Sequence, residues 1–173
     1  MLKPSLSRLR PMVRDDLVQV LLWRNHPDVR RYMYTQHEIG LLEHINWFEG
    51  ASKQSGRYLL IFEDEGKPLG FINLQETAPG GIADWGFYAA PDAPKGTGRE
   101  LGKSVLQYAF ADLGLHKLCG QALAFNERSI EFHLRLGFKQ EGILRDQHFD
   151  GQDYHDVICL GLLAVDWYTN KEH

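Results

Sequence analysis

Apolar positions recur along this chain with two periods, and the changes from one to the other mark its elements. Residues 5 to 10 (SLSRLR) alternate as a strand does. Leu17, Val20, Leu21 and, a turn later, Arg24 then fall at helical spacing, with Asp15 and Asp16 in the first turn and Pro27 beyond the end. A second helix is expected over residues 41 to 53, where Leu42, Ile45 and the pair Trp47 and Phe48 recur along one face. RYLLIFEDEGKPLGFINLQE holds two apolar runs joined by acidic residues and glycine, a hairpin pattern, and GIADWGFYAA supplies a third strand.

After Pro91 and Pro94 the period becomes helical, with Leu101, Val105, Ala109 and Leu113 on one stripe and Gly114 as its stop. That helix opens directly from KGTGRE. The strand HKLCGQALAF follows, then a helix capped by Asn126 and ending at Leu136 with Gly137 behind it, and a last strand YHDVICLGLLAV. The order is strand, two helices, three strands, helix, strand, helix, and a strand or two. This predicts an α+β fold, a mixed sheet with helices on its faces. No repeat or Pro/Gly/Ser-rich linker divides it, so residues 1–173 read as one domain.

Composition narrows the function. A hydrophobic content of 43% over 173 residues suffices for a core without disulfides or metals. Cys119 and Cys159 stand in apolar runs, and no spaced Cys/His cluster accompanies them, so reduced core thiols are expected and no metal site. The start MLKPSLSRLRP lacks the apolar segment of a signal peptide, and no long apolar run suggests a membrane span, which points to the cytoplasm. A net charge of -4 with scattered Lys and Arg gives no electrostatic reason to expect nucleic acid or membrane as a partner. An anionic ligand therefore needs a local site.

The densest such site is Pro94-Lys95-Gly96-Thr97-Gly98-Arg99, between a strand and a helix. Small residues there let several backbone N–H groups converge on one anion at the positive helix end. A Walker A reading requires Gly where Thr97 stands, and the surrounding order lacks the βαβ units of an NTPase. A dinucleotide fingerprint lacks its third glycine and the acidic residue after the next strand. A glycine turn with no ligand is the remaining plain reading.

The run from DWGFYAAP through PKGTGRELGKSVLQYAF to LHKLCGQALAFNERSIEFHLRLGFKQEGILR resembles the core of the GNAT acetyltransferase superfamily over residues 81–145. The resemblance implies a mixed, mostly antiparallel sheet of six or seven strands flanked by about four helices, with residues 1–80 as the acceptor half. It implies acetyl-CoA as cosubstrate, with Phe87, Tyr88 and Ala89 lining pantetheine and Lys95, Gly96, Thr97, Gly98 and Arg99 holding pyrophosphate. Asn126 and Ser129, on the next helix, complete the cofactor set. Ala93 stands where the family has Gln or Arg, and Lys95 is placed to compensate.

Collapse of the tetrahedral intermediate expels a thiolate, and a positioned proton donor helps by ~10²- to 10⁴-fold. Similar proteins carry Tyr at the position of His133 in FHLRLGF, which makes His133 the expected acid, against a packed core histidine; Tyr88 and Tyr154 are alternatives. Asp84, on the strand lining the site, is the candidate base. With EGILR and the HKL segment, the N-terminal half resembles the PseH-type acetyltransferases of pseudaminic acid biosynthesis, which act on the 4-amino group of a UDP-linked amino sugar. That resemblance places Arg24, Met33, Tyr34, His44 and Trp47 in the acceptor pocket, Arg for a diphosphate and aromatics for uracil, with a homodimer as the assembly to test. A RimL/RimJ-like protein N-acetyltransferase shares the WRN element and the LGF ending, and a CoA-binding module without catalysis is the reading from another class.

Overall fold

The computed structural model describes residues 7–171. Its strands are β1 (Arg8–Pro11), β2 (Arg57–Asp64), β3 (Lys67–Ala78), β4 (Ile82–Ala89), β5 (Lys117–Leu123), β6 (Lys139–Phe149) and β7 (Tyr154–Leu163). They form one seven-stranded sheet in the order β1-β2-β3-β4-β5-β7-β6. Every neighbouring pair is antiparallel except β4 with β5, which is parallel. The helices are α1 (Leu17–Asn25), α2 (Pro27–Arg30), α3 (Leu41–Ala51), α4 (Thr97–Gln107), α5 (Glu127–Arg135) and α6 (Ala164–Lys171). This is the α+β arrangement of the GNAT fold that the sequence implied.

Helices cover both faces of the sheet, and the apolar stripes explain which. Leu101, Val105, Leu106 and Ala109 bury the stripe of α4 and the turn after it against Ile72, Leu74 and Leu118 of the sheet. On the other face Leu17, Val20 and Trp23 of α1 and Phe48 of α3 close over Leu59, Ile61 and Phe71. At ~25 cal/mol per Å² of apolar surface, these two clusters supply the main driving force. Arg10 pins the start of α1 to the sheet: its Nη1 and Nη2 donate to Asp16 at 2.7 and 2.8 Å, while its Nε reaches Glu63 at 2.5 Å.

The parallel pair sets up the site. β4 and β5 are paired only at Ile82 with Lys117, Ala83 with Leu118 and Asp84 with Cys119. β4 continues to Ala89 and β5 to Leu123, so the strands part into a V whose inner edges carry backbone groups outside the ladder. Strand alternation then divides the side chains of β4. Trp85 and Phe87 face α5, where Trp85 stacks on Phe132 and Phe87 meets it at a tilt, whereas Asp84, Gly86 and Tyr88 face the α1/α3 side.

Several boundaries differ from the sequence reading. Residues 5 and 6 of the first expected strand lie outside the described residues, and the strand observed is Arg8–Pro11. Pro27 does not simply end α1: it takes the first position of α2, where its missing N–H costs nothing. The final run YHDVICLGLLAV stops being strand at Leu163, and Ala164 opens α6, which buries Trp167. Cys119 and Cys159 are free but half-buried on neighbouring strands, not in the core. Among the described residues, no helix is long and apolar enough to cross a membrane.

Candidate active site

The glycine loop opens α4 as expected. Gly96, at φ 94°, takes the left-handed conformation that glycine adopts without strain, and no side chain caps the helix. The buried Thr97 closes the loop, its hydroxyl and its amide both donating to the Pro94 carbonyl at 2.7 and 3.1 Å. Thr97 therefore shapes the turn, while Gly98 and Arg99 offer the first-turn amides and the exposed side chains of Lys95 and Arg99 add positive charge beside them. A Cβ at Gly98 would find only Phe132 Cε2, 3.9 Å away, so this position is open to solvent and to a ligand.

At the head of α5, Asn126 acts as the cap: its Oδ1 accepts from the Ser129 amide at 3.2 Å. The Ser129 carbonyl accepts from His133 Nδ1 at 2.7 Å. These contacts hold α5 beside the V.

His133 departs from its expected role. It is 2% exposed, its Nε2 accepts from the Trp85 indole N–H at 3.1 Å, and its Nδ1–H is given to Ser129. Both nitrogens are thus engaged and the tautomer is fixed. Burial pulls its pKa below the usual imidazole range, against a smaller opposing pull from the Ser129 carbonyl, so the ring is neutral where it was expected to act as imidazolium. Trp85, Phe87, Phe132 and Phe138 surround it. The geometry is that of a packed, hydrogen-bonded core histidine, with no free N–H for a thiolate.

Tyr154, the second alternative acid, is 64% exposed on the β6–β7 hairpin against Phe149 and borders neither cavity described below. Tyr88 faces the α1/α3 side, and burial raises the pKa of its hydroxyl, which keeps it protonated. Asp84, exposed at the vertex of the V, has its pKa raised by partial burial.

Two cavities flank the V on that face. The first, of about 300 Å³, brings Arg24, His44, Trp47, Phe71 and Tyr88 together, as the sequence implied for three of them. Arg24 Nη2 donates to the Thr35 carbonyl at 3.1 Å, while its buried Nη1 has no hydrogen-bond partner among the described residues. His44 is 5% exposed and stacked on Trp47, with its Nε2 likewise unpartnered among the described residues. Burial lowers its pKa, opposed in part by a bond to the Leu17 backbone, so it too is neutral. Asn25 holds the overlying loop by exchanging two 2.8 Å bonds with the Ile39 backbone.

The second cavity, of about 260 Å³, is bordered by Tyr34, Gln121, Leu144, Gln147 and His148. Tyr34, expected beside Arg24, borders this cavity and not that of Arg24, and its hydroxyl donates to Gln121 Oε1 at 3.0 Å. Met33 is half-buried and borders neither cavity. Sequence reasoning missed Gln121 and His148. Gln121 did carry a signal, as a polar residue in an otherwise apolar strand, whereas His148 sits in a stretch with no clear period. No group of three or more His, Cys, Asp or Glu that could hold a metal occurs among the described residues.

An uncapped glycine loop at a helix N-terminus, a V between parallel strands and a cavity beside it are the arrangement that the GNAT resemblance implied. Residues 7–139 match the Acetyltransferase (GNAT) domain, and the chain belongs to that family of N-acetyltransferases, which transfer acetyl from acetyl-CoA to an amine. It is 30% identical over 137 residues to an acetyltransferase PseH of Campylobacter jejuni, covering 78% of this chain and 83% of that one. It is 26% identical over 155 residues to spermidine N(1)-acetyltransferase of Escherichia coli, covering 88% and 83%. In fold it is similar to spermidine N-acetyltransferase of Vibrio cholerae, solved with CoA and spermine, at a TM-score of 0.87 and 23% identity over 94% of this chain and 98% of that one.

Proposed function

We propose that this enzyme acetylates the 4-amino group of a UDP-linked amino sugar, the reaction of pseudaminic acid biosynthesis. The observation that carries this reading is the buried, unpartnered Nη1 of Arg24 in the wall of the first cavity. A guanidinium stays charged at any working pH, and burying one of its donors unpaired costs about 1–3 kcal/mol or more unless a ligand meets it. A diphosphate or a uracil carbonyl does so, while the half-buried Trp47 offers an apolar ring to a base. A polyamine would bring ammonium groups toward the same guanidinium, a repulsion of about 4 kcal/mol at 4 Å near a protein surface. The one carboxylate bordering that cavity, Glu43, already bonds His37 Nε2 at 3.1 Å. The relative named PseH agrees with this choice.

In this reading the half before residue 81 supplies Arg24, His44 and Trp47, and the half from 81 to 145 supplies the V and the loop. Loop amides at Gly98 and Arg99 hold the pyrophosphate, and the inner edge of β4 at Phe87–Ala89 pairs with pantetheine. Asp84, with its raised pKa, takes a proton from the acceptor ammonium through water, the amine attacks the thioester carbonyl, and Tyr88 protonates the departing thiolate and regains its proton from the acylated nitrogen as the neutral amide forms. Acetyl-CoA is a cytoplasmic metabolite, and we place the reaction there.

The test is Arg24→Met. With acetyl-CoA saturating, the KM for the nucleotide sugar should rise at least tenfold while the KM for acetyl-CoA stays within twofold. An unchanged acceptor KM refutes the assignment.

A further inference from the structure

The second cavity is not used by anything above; it is a smaller and more open hollow than the first, lined by the exposed Tyr34, Gln121, Leu144 and Gln147 around a half-buried His148. Leu144, Gln147 and His148 all border it, although strict alternation would send neighbouring residues of β6 to opposite faces. A bulge makes this possible: the β6–β7 register shifts between Leu144 and His148, Asp146 takes φ 50°, and its amide donates to Asp156 Oδ1 at 2.8 Å. The ring of His148 is held from two sides, by Tyr34 with centroids 5.2 Å apart and by His155 at 6.4 Å. His155 is itself fixed by Asp150 Oδ2 at 2.6 Å. His148 Nε2, so positioned, is buried at the cavity with no hydrogen-bond partner among the described residues.

The two cavities are neighbours. Tyr34 borders this one and the adjacent Thr35 borders the other. Gln121 and Tyr88 stand on the same face, because Cys119 and Asp84 are paired and each lies an even number of residues away. A ligand spanning both cavities therefore crosses the mouth of the V, where the acetyl group is presented.

The lining is a phenol, two side-chain amides, an imidazole and one leucine. Such a wall suits a neutral ring rich in hydroxyl or amide groups with an apolar edge, and suits neither a phosphate nor a polyamine.

We propose that this cavity is the subsite for the hexose ring of the acceptor, with Gln121 and His148 as its hydrogen-bonding residues, while the Arg24 cavity holds the nucleotide; this rests on the nucleotide-sugar reading above. The double variant Gln121→Leu, His148→Phe keeps the volumes and the ring stack but removes the polar atoms. With a UDP-linked 4-amino sugar as acceptor, its KM should rise at least about tenfold, the sum of two neutral hydrogen bonds. The inhibition constant of UDP alone and the KM for acetyl-CoA should stay within twofold. An unchanged acceptor KM, or a UDP inhibition constant that rises in step with it, overturns the subsite while leaving the nucleotide-sugar reading in place. A wild-type enzyme that neither acetylates the sugar nor is inhibited by UDP overturns both.

Discussion

His133→Phe separates a packing role from a catalytic one. The substitution keeps an aromatic ring between Trp85, Phe132 and Phe138 but removes both nitrogens. The Ser129 carbonyl keeps its helical partner, so the main loss is the acceptor for the Trp85 indole N–H, left buried and unpaired. That costs about 1–3 kcal/mol. For a chain of this size, each kcal/mol moves Tm by roughly 2–4 °C, so a drop of roughly 2–12 °C is expected. The penalty should also shrink in acid. An unfolded histidine takes up a proton near pH ~6.5, whereas the folded ring, with its lowered pKa, does not, so wild-type stability is full above that pH and falls as pH drops toward the folded value. The variant lacks this loss, and the urea midpoints of the two proteins should converge between pH 7.5 and about 5. Meanwhile kcat should remain within about tenfold of wild type with the same pH profile. A fall of ~10²-fold or more with the basic limb abolished, at unchanged stability, would show that His133 is the acid after all.

Gly98→Glu should abolish acetyl-CoA binding by calorimetry while the melting curve stays native, since a Cβ there makes one ordinary contact, with Phe132 Cε2 at 3.9 Å. Gly120→Ala should destabilise by about 1–3 kcal/mol in urea melts, because its Cβ would stand 2.6 Å from His133 Nε2 and 3.0 Å from Trp85 Nε1. Asp84→Asn should lower kcat/KM and remove an acidic limb that, in the wild type, lies above the usual carboxylate range because burial raises the Asp84 pKa and activity requires the ionised form. Tyr88→Phe should lower kcat and kcat/KM together, leaving the KM for acetyl-CoA nearly unchanged.

Much of the fold was legible because its elements carry strong periods. The stripe of α4 and Gly137 (φ 98°) behind α5 read directly from the chain, whereas the expected run to Gly114 (φ 66°) leaves α-helical geometry after Gln107 for a wider π turn over Tyr108–Asp112. β6 was less legible, since most of its residues are exposed and its bulge breaks the alternation. The glycine loop and the grouping of Arg24, His44 and Trp47 were foreseen, but a sequence cannot show that His133 finds Trp85, 48 positions away. Nor can it show that adjacent residues Tyr34 and Thr35 border different cavities. Both depend on tertiary placement, the first on Gly120 leaving room and the second on Tyr34 reaching Gln121 while the Thr35 carbonyl meets Arg24.

The central claim concerns the acceptor, and release of free CoA thiol tests it most directly. Initial rates with a UDP-linked 4-amino sugar, spermidine and a peptide with a free N-terminus, at one saturating acetyl-CoA concentration, give three values of kcat/KM. The unpartnered Nη1 of Arg24 predicts that the nucleotide sugar exceeds both other amines by at least ~10²-fold, the factor that about 3 kcal/mol of differential interaction supplies. A kcat/KM for spermidine or the peptide equal to or above that of the sugar would contradict it.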